Sequence, residues 1–221
     1  MISRKLENNM ANKNLGIIGL GYWGPNYARI INELENINLS WCCDTNKAAL
    51  SKFNKLYPNV KVSDKLTDLL NDSSLDAIII VTPAQSHFKL AKKFLLKDKH
   101  ILIEKPLTHK LADAQALVKL ANDKKRVLMV DHTFEFNPAI KKLKEFIQEG
   151  ELGKICYVYG NYNALGPIRK DVSAMWDLPH FIYVVNFLLN KNPLWVSATG
   201  KDYLQKGMED VVFLTFEYPD N

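Results

Sequence analysis

Three glycines close a short apolar run in the segment Leu15 to Gly24, which reads LGIIGLGYWG, and Gly19, Gly21 and Gly24 are spaced G-x-G-x-x-G. A buried strand that breaks into a tight glycine turn and then a helix presents bare backbone amides, backed by the helix dipole, to a pyrophosphate. Glycines also serve ordinary turns, so the surrounding pattern must carry the reading. Asp44 supports it, standing twenty residues beyond Gly24 at the end of a second apolar run, Ile37 to Cys43. A carboxylate there accepts hydrogen bonds from the adenosine ribose hydroxyls and repels a 2'-phosphate, which favours NAD over NADP. The same residue also suits a plain turn, with Thr45 capping the next helix. Tyr22 and Trp23 either pack around the glycine turn or anchor the following helix in the core.

A pyrophosphate turn needs a sheet to hold it, and the chain supplies the alternation. Tyr27, Ile30, Ile31 and Leu34 recur at helical spacing, which predicts a helix to about Glu35 with Pro25 in its first turn. Helices follow over about 46–56, 66–70, 86–97 and 111–121, and strands over 37–43, 60–62, 77–81, 100–104 and 126–130. The run from Ala77 to Val81 is continuously apolar and β-branched, as a strand buried on both faces should be. Six parallel strands with short connections predict the order 3-2-1-4-5-6, with a crevice at their carboxyl ends. Residues 14–131 thus read as an α/β, doubly wound NAD-binding domain behind a polar tail, 1–13.

From residue 132 the pattern changes to an α+β domain with a largely antiparallel sheet, running to 221. Asn137 and Pro138 open an amphipathic helix closed by Gly150. Strands are predicted at 154–163, 194–199 and 211–218, with one helix over about 176–189. Arg169 and Lys170, in an otherwise apolar loop, suit either a substrate's phosphates or carboxylate or plain solvation. Three strands make a small sheet, and the chain stops directly after one of them, so a truncated chain is expected.

The composition, 47% hydrophobic and 24% charged over 221 residues, is that of a folded soluble protein. The net charge of +5 comes from lysines spread over polar helix faces. A nucleic-acid partner would need a clustered basic face with interleaved aromatics, which the linear sequence lacks. Cys42, Cys43 and Cys156 form neither a disulfide framework nor a zinc spacing, and the adjacent pair should point to opposite sheet faces as core thiols. A reducing cytoplasm is the expected compartment. No apolar run reaches membrane-span length, and the polar start lacks the apolar centre of a signal peptide.

Several motifs in order, GLGYWGPNYARI, TPAQSH, EKPL, DHTFEFNPAI, GELGKI and a later WDL, resemble the Gfo/Idh/MocA family of sugar oxidoreductases. The wording GYWGPN with RKDVSAMWDLPH is similar to the branch acting on nucleotide-activated N-acetyl sugars in surface-polysaccharide pathways. The resemblance covers roughly Leu15 to Asn221 and suggests the first two thirds of a member.

That resemblance implies an NAD-dependent enzyme oxidising a ring hydroxyl of a sugar or nucleotide sugar, usually as a homo-oligomer. Lys105 of EKP matches the active-site lysine, touching both cofactor and substrate; Glu104 positions it, and Pro106 holds the turn. Thr82, Pro83 and His87 match a motif lining the cofactor. His180 matches the proton-accepting histidine, with Asp177 before it. Here the chain departs from the branch, reading WDLPHF where WDLAPHD is usual, with one residue fewer and Phe181 in place of an acid. His180 therefore stands between catalysis and a capping or core role. The rival to an enzyme is a non-catalytic or decayed dinucleotide-binding protein of the same fold; an NADPH reductase is disfavoured by Asp44.

Overall fold

The computed structural model describes residues 12–163, 172–177, 179–204 and 206–219, the side chain of Asp177 excepted. Arg169 and Lys170 lie outside the described residues. The chain divides into two compact units, 1–131 and 132–221.

In the first unit, strands β1 (Lys13–Ile18), β2 (Ile37–Cys43), β3 (Lys61–Ser63), β4 (Ala77–Ile80), β5 (His100–Ile103) and β6 (Leu128–Val130) alternate with helices α1 (Gly24–Glu33), α2 (Lys47–Leu56), α3 (Leu66–Asn71), α4 (His87–Leu96) and α5 (Leu111–Asp123). The strands pair in parallel in the order β3-β2-β1-β4-β5-β6, the predicted doubly wound sheet. Both faces are covered, which is why β4 needs no polar alternation. Ile17, Cys42 and Ile79 pack with Ala28, Ile31 and Phe53 on one face. Ile18, Cys43, Ile78 and Ile80 pack with Phe94 and Leu117 on the other. Cys42 and Cys43 thus enter separate clusters, and burial pushes their thiols up to about 12 and about 11, which leaves them protonated and unreactive.

The cap of α2 differs from expectation. Asn46, not Thr45, accepts the Ala48 and Ala49 N–H groups, at 3.0 and 3.2 Å. The cause is Asp44, whose Oδ1 accepts the Asn46 N–H at 2.7 Å and so carries the turn one residue further. Asn46→Ala should lower stability by about 1 kcal/mol. An unchanged thermal midpoint would contradict that cap.

In the second unit, α6 (Pro138–Gln148) begins at an Asn137 cap and is followed by Gly150 in the left-handed region, at φ 75°. The single helix expected from Trp176 is two, α7 (Ala174–Asp177) and α8 (His180–Leu189), with Pro179 as the N-cap of α8. Proline disfavours helical geometry in the residue before it, so a boundary falls there. Among the described residues two strands form here, β7 (Trp195–Lys201) and β8 (Val211–Glu217), paired antiparallel. The strand expected over 154–163 is absent: these residues join no ladder among the described residues, and Tyr157 and Tyr159 are both 83% exposed. Alternating aromatic residues favour a strand only where a neighbouring strand supplies hydrogen bonds and side-chain contacts. The α6 and α8 helices meet, with the Lys144 ammonium 3.5 Å from the Phe187 ring centroid.

Candidate functional site

Backbone hydrogen bonds run past the strand ends of the first unit and carry the site residues into line. Gly19 N–H donates to Cys43 O at 2.9 Å, Val81 N–H to Ile18 O at 2.8 Å, Glu104 N–H to Ile80 O at 3.0 Å and Asp131 N–H to Ile103 O at 2.9 Å. The glycine turn, Asp44, Thr82, Glu104 and Asp131 therefore stand at the carboxyl edge of one sheet, on adjacent strands.

Each glycine of the turn has its own spatial reason. Gly19 adopts φ 105°, and a Cβ there would come within 2.5 Å of Val81 O. At Gly24 a Cβ would overlap the Gly19 carbonyl oxygen, so the start of α1 packs directly on the turn. Gly21 is the opposite case: apart from its two chain neighbours, no atom of the described residues lies within 4 Å of its Cβ position, which leaves open space beside the backbone. Trp23, the N-cap of α1, makes no side-chain cap bond, while Asn26 and Tyr27 N–H donate to Trp23 O at 2.9 and 3.1 Å and Pro25 has no N–H to satisfy. Tyr22 and Trp23 are 83% and 48% exposed and meet edge to face, which removes the core-anchor alternative.

Asp44 is part-buried, and its Oδ2 accepts the Leu20 N–H at 2.5 Å while Oδ1 closes the Asn46 turn. One carboxylate serves both the turn and the glycine loop. Asp44→Ala should weaken NAD binding by about one to two orders of magnitude and narrow the preference over NADP. Calorimetry with both dinucleotides checks this, and an unchanged ratio would refute the ribose role.

Two turns frame the middle of the edge. Thr82 Oγ1 and Ser86 Oγ lie 2.5 Å apart, and Ser86 donates to Pro83 O from its backbone and its hydroxyl. His87 is fully buried, its Nε2 2.8 Å from Thr82 O and its Nδ1 2.8 Å from Pro106 O. The imidazole ties the turn after β4 to the turn after β5, and burial pushes its pKa below the ordinary value. Lys105 precedes a cis peptide bond to Pro106, and its N–H donates to Glu104 Oε2 at 3.2 Å.

Two residues of this edge carried no functional reading in the sequence. Tyr27 counts there as one apolar member of a helical stripe, yet its hydroxyl bonds Asp131 Oδ2 and lies 3.3 Å from Glu104 Oε1. Burial and the nearby Asp131 charge push the Glu104 carboxyl up to about 7; burial and the bond to Asp131 push the Tyr27 phenol up strongly. The available signal was position: Asp131 follows β6 as Asp44 follows β2 and Glu104 follows β5.

In the second unit His180 opens α8, with the Phe134 ring centroid at 5.0 Å and that of Tyr162 at 6.4 Å. Phe181, standing where the resemblance expects an acid, lies so close on Gly160 that a Cβ there would overlap its ring. Nearby, His132 stacks on Tyr183 at 4.1 Å, and the Tyr183 hydroxyl donates to Glu135 Oε2 at 2.6 Å. Of the Asp177 side chain nothing is described.

The open space at Gly21, the start of α1 directly behind the turn and the carboxylate at Asp44 fit a dinucleotide. Residues 13–132 match the Gfo/Idh/MocA oxidoreductase family, NAD-binding Rossmann fold, and residues 140–221 match the GFO/IDH/MocA C-terminal domain. The chain belongs to the Gfo/Idh/MocA family. This family member is 32% identical to the uncharacterized oxidoreductase YdgJ of Escherichia coli over 161 residues, 72% of this chain and 46% of that protein. It is 25% identical to the 2,7-anhydro-N-acetylneuraminate hydratase of Escherichia coli over 223 residues, 93% of this chain and 59% of that protein. Among solved structures, the WlbA dehydrogenase from Bordetella pertussis, in complex with NADH and UDP-GlcNAcA, matches with a TM-score of 0.84. Its identity is 20%, over 95% of this chain and 64% of that one, a likeness of fold. The chain spans about half the length of the curated relatives it matches. No described helix is long and apolar enough to cross a membrane.

Proposed function

We propose that this Gfo/Idh/MocA chain is an NAD-dependent dehydrogenase that oxidises a ring hydroxyl of a sugar, and that the sugar is a nucleotide-linked N-acetyl sugar used in surface-polysaccharide biosynthesis. The observation that carries the reading is the position of Lys105, one residue after the Glu104 that extends β5, on the same sheet edge as the glycine turn and Asp44. Crevices at the carboxyl ends of such sheets are where ligands bind. The resemblance in wording and the fold shared with a dehydrogenase solved with UDP-GlcNAcA support the substrate class.

The roles follow from the chemistry of an alcohol becoming a ketone. Gly19, Gly21 and Gly24 hold the pyrophosphate and Asp44 the adenosine ribose, with Tyr22, Trp23, Thr82 and Pro83 along the cofactor and His87 bracing two of the turns. Bound NAD supplies the hydride acceptor. The Lys105 ammonium hydrogen-bonds the substrate oxygen and stabilises negative charge as the carbon–hydrogen pair departs. His180 accepts the hydroxyl proton, supported by Asp177, and the aromatic rings of Phe134 and Tyr162 flank it. Arg169 and Lys170 pair with the phosphates of the nucleotide sugar.

Isotope transfer tests this. UDP-N-acetyl sugars deuterated at single ring carbons should yield deuterated NADH from one position only, read by mass spectrometry. NADH that forms without deuterium from any ring carbon would refute ring oxidation.

A further inference from the structure

Tyr27, Glu104 and Asp131 come from α1, the end of β5 and the end of β6, and meet next to the backbone of Lys105. A phenol carries one proton and can donate it to one carboxylate only. The Tyr27 hydroxyl is bonded to Asp131 Oδ2, and its contact with Glu104 Oε1, at 3.3 Å, is longer. With the phenol proton given to Asp131, the shorter contact, the second contact is a hydrogen bond when Glu104 carries a proton and donates it to the phenol oxygen. The other oxygen, Oε2, already accepts the Lys105 N–H at 3.2 Å, so Oε1 is the atom left to hold the proton.

We propose that Tyr27, Glu104 and Asp131 form one proton-sharing unit, Glu104 acid to Tyr27 phenol to Asp131 carboxylate, which positions the Lys105 turn and changes state when Glu104 loses its proton. Its bearing on catalysis rests on the dehydrogenase reading of Lys105; the proton count does not. The charged and titratable groups facing Glu104 are Asp131 after β6, Tyr27 from α1 and Lys105 next along the chain. Burial and the Asp131 charge raise its pKa to about 7, while Lys105, through its N–H and its charge, opposes the rise.

The sign of the stability effect follows. The folded state binds the Glu104 proton more tightly than the unfolded chain, whose ordinary value is 4.5. Stability from this group is therefore lost as pH rises from 4.5 towards 7 and stays lost above that. Glu104→Gln offers an amide N–H to Tyr27 and a carbonyl to the Lys105 N–H, which copies the protonated acid and has no proton to lose.

The test is carbon-13 NMR of the glutamate carboxyls of the 221-residue chain without cofactor, titrated from acid to mildly alkaline pH. The expected result is a Glu104 midpoint near 7 that falls by about one unit or more in Asp131→Asn, where the neighbouring charge is gone. Glu104→Gln should melt like wild type near the ordinary carboxyl pKa and above wild type on the alkaline side. A wild-type midpoint near 4.5 would overturn the proposal, and that reading needs neither a folded variant nor turnover. Where NADH formation is measurable, the pH limb near neutrality should disappear in Glu104→Gln. A limb that persists there would overturn the positioning role and leave the dehydrogenase reading intact.

Discussion

Lys105→Ala is expected to lower turnover by about 10²–10⁴-fold, the range that a positioned proton-transfer or charge-stabilising group contributes. Lys105 follows β5 at the sheet edge, and developing negative charge on a substrate oxygen needs a donor already in place. The glycine turn and Asp44 are held by bonds that do not involve Lys105, such as Leu20 N–H to Asp44 and Gly19 N–H to Cys43 O. NAD affinity should therefore change little beside the loss in turnover. Calorimetry with NAD alongside initial rates separates the two. Residual activity left intact by Lys105→Ala would favour a different catalytic group, and tight NAD binding without turnover in the parent chain would favour the non-catalytic rival.

A paired substitution in the glycine turn is expected to divide stability from binding. Gly24→Ala places a methyl group on the Gly19 carbonyl oxygen, a backbone atom that cannot rotate aside, so the fold should lose on the order of 3 kcal/mol. Gly21→Ala meets no atom of the described residues beyond its chain neighbours within 4 Å, so stability should move by no more than about 0.5 kcal/mol. Its methyl group instead occupies the space through which a pyrophosphate reaches the backbone, and NAD affinity should fall at least about tenfold. Denaturation curves and NAD titrations of both variants check this. A destabilised Gly21→Ala, or one that binds NAD as the parent does, would break the assignment.

Much of the first unit could be read from residue order because its rules are local. Continuous β-branched runs, helical stripes and short connections admit one doubly wound arrangement, and the strand order followed. The opposite faces of Cys42 and Cys43 needed only the two-residue period of a strand. What escaped was settled by partners distant in sequence. Tyr27 meets Asp131 across 104 positions, so nothing near either residue marks the pair. The resemblance puts His87 along the cofactor, yet its ring is fully buried between Thr82 O and a carbonyl 19 positions away. The second unit was less legible for the same reason: Tyr157 to Asn161 alternates like a strand, but a ladder needs a neighbour, and none of the described residues provides one. The single helix expected over 176–189 gave too little weight to Pro179, which stands as the N-cap of α8.

The central claim is that this chain joins an NAD site to oxidation of a sugar hydroxyl. The most direct measurement is NADH formation, followed by absorbance, when the protein is mixed with NAD and each of a panel of UDP-N-acetyl sugars and their uronic acids. NADH is expected with at least one of them, with a clear preference for NAD over NADP and near-complete loss in Lys105→Ala. NAD binding with no NADH from any member of the panel would contradict it.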